Sequence, residues 1–205
     1  MTKALKYAFR ITHIDNIPHI LRNGIVKADS PLRDDNYVSI GDQQVIRVRT
    51  EMAVDDRRIS DYIPFYFGPR SPMLYVIQHG YNGVQSVEPW NIVYCVIRLD
   101  DVVNNNIDCV FTNGHALSKI TTFFPKECLI GIDNIVKYDD VYSSQWDIET
   151  DIDLKRRKEA ELLIKNDLPP QFIKGFVVYN EEAKQKMMMM GIDENKVVVA
   201  PGYYF

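Results

Sequence analysis

Three observations predict an α+β fold for this chain. Strand-like and helix-like segments are mixed along it without regular βαβ alternation, which argues against a parallel, doubly wound sheet. Its 205 residues are about the length of one domain. Hydrophobic residues make up 46% of it, enough for a substantial core, so a single domain spanning residues 1–205 is expected.

Taken in order, residues 7–12 read as a short strand and residues 14–23 as a helix. Pro18 suits a first-turn position after Asn16, where a missing N–H costs nothing. Ile17, Ile20 and Leu21 share one face, and Gly24 stands where a left-handed residue closes a helix. Residues 27–60 are polar, carry acidic and basic clusters and lack periodicity. They read as a long loop with one helical turn around residues 43–52, and loops of that length in compact domains are usually functional or disordered. Residues 62–67 read as an aromatic-rich strand ended by Gly68-Pro69, after which Ser71-Pro72 opens a helix reaching His79.

Residues 91–99 are the clearest buried strand, and residues 108–111 are another, followed by the turn signal Thr112-Asn-Gly-His115. Residues 158–164 are ambiguous. As a strand they place Glu159 and Glu161 on one face; as a helix they place both on a charged, solvated one. Residues 176–179 and 197–200 read as short strands around an amphipathic helix, 180–190, closed by Gly191. No internal repeat is visible.

The formal net charge of −4 argues against a protein that coats duplex DNA by neutralising many phosphates. A local basic groove is still open to it. Positive charge concentrates at Arg47 and Arg49, Arg57 and Arg58, Arg70, and the run Lys155 to Lys158, each of which alone reads as a solvated face. Cys95, Cys109 and Cys128 are scattered without metal-ligand spacing, so neither a disulfide framework nor a metal site is expected. No apolar run approaches the ~18 residues of a membrane span, and the first residues carry no secretory leader, so a cytoplasmic protein is expected. There is no Gly-rich dinucleotide fingerprint and no Walker motif.

Four segments carry a resemblance. They are residues 9–16 (Phe-Arg-Ile-Thr-His-Ile-Asp-Asn), a stretch ending in Arg47-Val-Arg49, residues 61–75, and residues 158–164. In this order and spacing they resemble the DarT family of DNA ADP-ribosyltransferase toxins, which take ADP-ribose from NAD and attach it to a DNA base. The resemblance implies an ADP-ribosyltransferase-like fold with a split, mainly antiparallel β-sheet core and flanking helices. It also implies an NAD-binding element over residues 34–52 and a target-recognition loop over residues 111–161 that ends at the catalytic glutamate.

That glutamate is Glu161. Nicotinamide is already a cationic leaving group, and a carboxylate beside the ribose steadies the oxocarbenium-like transition state. By alignment the arginine that meets NAD and the acceptor base is Arg49 rather than Arg47. A guanidinium at its ordinary pKa is a poor base, so its weight falls on orienting the reactants. Arg10, Ile11 and Thr12 map onto contacts to the nicotinamide ribose, with Arg10 standing where many DarT-like sequences have histidine. His13 is read as a structural, helix-opening residue. His19 and Lys27 fall near further dinucleotide contacts, and Tyr66 where an aromatic ring stacks on nicotinamide.

Arg70, Met73, His115, Lys155 and Arg157 fall where such enzymes approach DNA, with His115 inside the target loop. NAD is expected as a substrate, not a cofactor. The implied activity is modification of a base, thymine first and guanine second, in single-stranded DNA, by the toxin of a pair whose partner is a macrodomain-type antitoxin. Two rivals stand beside it: a protein- or RNA-directed ADP-ribosyltransferase sharing the NAD site, and a non-catalytic nucleic-acid-binding module without need of Glu161.

Overall fold

A computed structural model describes residues 3–54 and 57–205; the side chain of Arg57, half of one basic cluster, lies outside the described residues. Strand β1 (Tyr7–His13) runs through a 3-10 turn into helix α1 (Ile17–Asn23). Gly24 closes α1 at φ 80°, and a Cβ there would sit 2.0 Å from the Leu168 carbonyl oxygen, so only glycine fits. Helix α2 (Gln43–Glu51) follows, then a small hairpin, β2 (Ala53–Val54) and β3 (Arg57–Arg58). Next come β4 (Ile63–Tyr66), α3 (Pro72–His79), β5 (Ile92–Arg98), α4 (Leu99–Asn104), β6 (Cys109–Thr112) and β7 (Phe123–Pro125). The chain ends with α5 (Tyr138–Val141), α6 (Leu154–Lys158), β8 (Glu161–Ile164), β9 (Gly175–Val178), α7 (Glu181–Met189) and β10 (Val197–Val199).

Three expectations need correction. The single helical turn in the 27–60 loop is a nine-residue helix, α2, nucleated by Asp42, whose carboxylate accepts from the Gln44 and Val45 N–H groups. The 111–161 segment is built rather than looped, with β7, a 3-10 stretch (Lys126–Asn134), α5 and α6. Leu129, Ile132, Val136 and Val141 plug it into the core at irregular spacing, which leaves no periodic signal. Residues 158–164 are neither one strand nor one helix, because α6 ends at Lys158 and β8 begins at Glu161.

Eight strands form one sheet in the order β10-β9-β5-β1-β4-β8-β6-β7, and all its pairings but β9–β10 are antiparallel. Helices cover both faces. On one face Ala8, Cys95, Phe65 and Leu162 pack with Leu129, Ile132 and Met187; on the other Phe9, Ile11 and Tyr94 pack with Leu74 and Ile77 of α3. No helix among the described residues is long and apolar enough to cross a membrane.

The sheet is split at its centre. Strand β1 pairs with β5 along seven positions but meets β4 in register only where Phe9 faces Tyr66. Beyond that point the strands part, and the Arg10 guanidinium spans the opening to donate to the Pro64 carbonyl at 3.1 Å. A strand residue's N–H and C=O point to the same side, so Pro64 turns its missing N–H to the opening as well. Proline therefore takes no bond from the β4–β8 ladder.

Candidate active site

The opening holds a cavity of about 350 Å³. Arg10 and Ile11 of β1 and Ile63, Pro64 and Tyr66 of β4 line it from the sheet. Val45, Ile46 and Arg49 of α2 form one wall, Met73 and Ile77 of α3 another, and Lys27 and residues 39–42 complete the rim. A second cavity, about 640 Å³, shares the 39–42 wall and continues past His13 to residues 82–88. The first is the one that holds the predicted residues.

Glu161 sits at the head of β8, fully buried and directly opposite Tyr66 in the β4–β8 register. One carboxylate oxygen, Oε2, is ion-paired with Nη2 of Arg49. The other, Oε1, accepts the Ala116 N–H at 3.0 Å. The Glu161 backbone is pinned as well. Its N–H donates to Thr112 Oγ1 at 2.9 Å, and that hydroxyl donates to the Gly114 carbonyl at 2.7 Å. A buried carboxylate is tolerated only when paired and hydrogen-bonded, and both conditions hold here.

The surrounding groups are tuned by burial and by this carboxylate. Burial opposes the charge on Arg49, but Glu161, with Tyr66 and Glu159 behind it, outweighs burial and holds the guanidinium above its usual pKa. Burial, then Glu161, push the Tyr66 phenol well above its usual value. It remains a neutral donor, with its hydroxyl 3.7 Å from the Met73 sulfur. Burial lowers the pKa of His115, against the pull of Glu161. Glu159, at the end of α6 and also buried, has its carboxyl pushed up to about 8 by burial and then by Glu161. Such an arrangement can steady a positive centre forming in the cavity, with Arg49 holding the counter-charge until a ligand arrives.

Of the predicted residues, Arg10, Ile11, Lys27, Arg49, Tyr66 and Met73 meet at the cavity, with Glu161 joined through Arg49. Arg47 is exposed. Thr12 is buried, and its hydroxyl accepts from Asn16 Nδ2 at 2.9 Å. The Asn16 amide in turn holds Val38 through two bonds of 2.9 and 2.8 Å, so Thr12 supports the 39–42 wall from behind. His19 Nε2 lies 2.7 Å from the Leu32 carbonyl, in the segment leading to that wall. Arg70 precedes α3 with a left-handed backbone, φ 52°.

The basic run divides. Lys155 is exposed, whereas Arg157 is gripped by Asp140, Asp151 and Asp153, which raise its pKa further. Arg156 clamps Asp153 and reaches Asn113 and Thr121 at 3.3 Å. Lys158 is buried, its ammonium donating to the carbonyls of Pro69 (3.2 Å), Val141 (3.0 Å) and Ser143 (2.6 Å).

Sequence reasoning passed over Thr112 and Lys158 in these roles. A threonine at a strand end carries no motif, and a lysine in a basic run looks like its neighbours. The four-residue spacing of Thr12 and Asn16 was the one readable hint of a side-chain bond between strand and helix.

A family model described as "ssDNA thymidine ADP-ribosyltransferase, DarT" matches residues 9–205. A DNA ADP-ribosyl transferase of Escherichia coli O127:H6 is 31% identical over 212 residues, covering 96% of this chain and 92% of the relative. A DNA ADP-ribosyl transferase–DNA ADP-ribosyl glycohydrolase fusion protein of Thermosipho africanus is 27% identical over 200 residues, covering 96% of this chain and 49% of the fusion. Among solved structures, Thermus sp. 2.9 DarT in complex with ADP-ribosylated ssDNA superimposes with a TM-score of 0.84 at 25% identity, covering 100% of this chain and 99% of that one. The same protein in complex with NAD+ gives 0.79, also at 25% identity, covering 100% of both chains.

Proposed function

Since the chain belongs to the DarT family and is a DNA ADP-ribosyltransferase, we propose that it transfers ADP-ribose from NAD to thymine in single-stranded DNA. Glu161 and Arg49 are its catalytic residues in this reading. Family membership sets aside the non-catalytic rival. The observation that carries the proposal is the Arg49–Glu161 pair at the wall of a cavity in the split of the sheet. NAD enters with nicotinamide against Tyr66 and its ribose towards Glu161, held by Arg10, Ile11 and Lys27, with Thr12 and His19 supporting the rim. The bond between C1′ and nicotinamide breaks, nicotinamide leaves as a neutral base, and Glu161 steadies the cation left on the ribose. A ring nitrogen of thymine bonds to C1′ as its N–H bond breaks and the proton passes to water, while Arg49, permanently charged, orients both partners.

DNA approaches over Arg70, Met73, His115 and Lys155, with Arg157 acting as scaffold beneath them. The acidic net charge suits a short single-stranded footprint. The family's description supports thymine over guanine. The fusion of a transferase to a DNA ADP-ribosyl glycohydrolase in a relative supports a toxin paired with a macrodomain-type antitoxin that removes the mark. In this reading both act in the cytoplasm. The test offers DNA oligonucleotides differing in one base, RNA and protein together with NAD, and reads the products by mass spectrometry. ADP-ribose on thymine-containing DNA is expected, and its appearance on RNA or protein instead would overturn the proposal.

A further inference from the structure

Tyr75, His79, Tyr81, Trp146 and Phe205 form a connected group of rings on the outer side of α3. Tyr75 lies 5.6 Å from Trp146, 5.1 Å from Phe205 and 4.1 Å from His79. His79 and Tyr81 are parallel, 3° apart at 5.6 Å. Four of these rings, all but Phe205, stand outside the core clusters, and Tyr81 is 49% exposed. Rings that fill a core meet apolar side chains on both faces; here His79 and Tyr81 are exposed, and Tyr75, Trp146 and Phe205 are half-buried.

Arg70 connects this surface to the site. Its guanidinium lies 4.4 Å from the centre of the Phe205 ring. Its left-handed backbone is held by the Tyr94 hydroxyl, which accepts the Arg70 N–H at 3.2 Å. Three residues on, Met73 lines the cavity and touches Tyr66. Behind the rings, the buried Lys158 ammonium sits 6.0 Å from the Trp146 ring and ties residues 69 and 143 together, fixing where Trp146 stands relative to Arg70.

We propose that this aromatic surface is a second binding site, a stacking platform for unpaired nucleobases of the DNA strand a few nucleotides from the base being modified. It rests on the single-stranded DNA reading above. Every base offers a π-face, so such a platform grips the strand whatever its flanking sequence, and Arg70 supplies the positive charge that a phosphate between platform and cavity requires. α3 is about 10 Å across with its side chains, a distance that a short length of extended strand covers.

The experiment compares wild type with Tyr81→Ala, Tyr81→Phe and Trp146→Leu on two single-stranded oligonucleotides. One is intact, and the other carries abasic sites at every position except the target. With intact DNA, Tyr81→Ala and Trp146→Leu should raise KM about tenfold, equivalent to about 1.4 kcal/mol and within the range of one base stacked on one ring. Tyr81→Phe, which keeps the ring, should match wild type. On the abasic strand all four proteins should agree, and NAD affinity by calorimetry should be unchanged throughout. Equal KM for all proteins on intact DNA, or the same loss on both strands, overturns the platform. Wild type that labels no oligonucleotide overturns the reading beneath it instead. If Trp146→Leu loses its fold by circular dichroism, the exposed Tyr81 pair decides the matter.

Discussion

Glu161 keeps a separate partner for each oxygen, and the two sides of the carboxylate can be tested apart. Truncation to alanine would leave Arg49 buried without its partner, at a cost of about 3–5 kcal/mol, so Glu161→Gln is the cleaner probe. It should cut DNA modification by about a thousandfold or more, in the range of a lost electrostatic stabiliser, with NAD still bound by calorimetry. Thr112→Val removes the hydroxyl that accepts the Glu161 N–H and leaves that N–H and the Gly114 carbonyl unmatched. It should lower stability by about 1–3 kcal/mol and reduce kcat more than it raises KM for NAD. Glu159 supplies a pH signature. Its folded pKa, about 8, is raised from 4.5, so the carboxyl is protonated in the folded state and ionised in the unfolded one between those values. The folded state holds more protons in that window, and stability falls by about 1.4 kcal/mol per pH unit as pH rises through it. Glu159→Gln should therefore melt above wild type at pH 8, with the gap closing towards pH 4; a gap independent of pH would contradict the assignment. From spacing alone the two glutamates were equivalent, and only the resemblance singled out Glu161. What separates them physically is Arg49, 112 residues away in sequence and beyond any local pattern.

Helix α2 has no buried residue among its nine, and its apolar Val45 and Ile46 face the cavity. Much of its packing must then come from whatever fills that cavity. Hydrogen exchange should be fast in α2 in the free protein and slow markedly with NAD, while β5 exchanges slowly in both. Asp42→Ala removes its N-cap, worth about 1 kcal/mol, and should weaken NAD binding by roughly fivefold. The helix was half legible: its cap and the favoured Arg49 were there to read, but with none of its nine residues buried its apolar face is too sparse to show a period. The basic run misled in the opposite direction. Four consecutive cations look like one patch, yet Arg156 and Arg157 fasten the 113–153 segment internally and Lys158 is inside. Lys155→Ala should weaken DNA binding and lower the salt slope by about one unit without changing the melting temperature, whereas Arg157→Ala should lower the melting temperature and DNA modification together.

Across the molecule, the α+β class, β1, β5 and the helices α1, α3 and α7 were legible, because each is a short periodic run with its own stop signals. The strand order was not, since nothing local says that β1 lies between β5 and β4. Net charge acts at this scale too. With a charge of −4 the protein gains little from a long run of phosphates, so a single strand should be modified far better than the same sequence annealed to its complement, and equal labelling of both would contradict the unpaired-base geometry. The central split is where the fold makes room for chemistry, and Pro64 stands in it with no N–H to offer across the opening. A zipper stays open where one tooth is missing. Restoring the tooth, by Pro64→Val, returns a donor to the edge that faces β1 and invites the two halves to close on each other. The expected outcome is a protein that melts higher and binds NAD worse, because a sheet completed between β1 and β4 would lose the opening in which a ligand could sit.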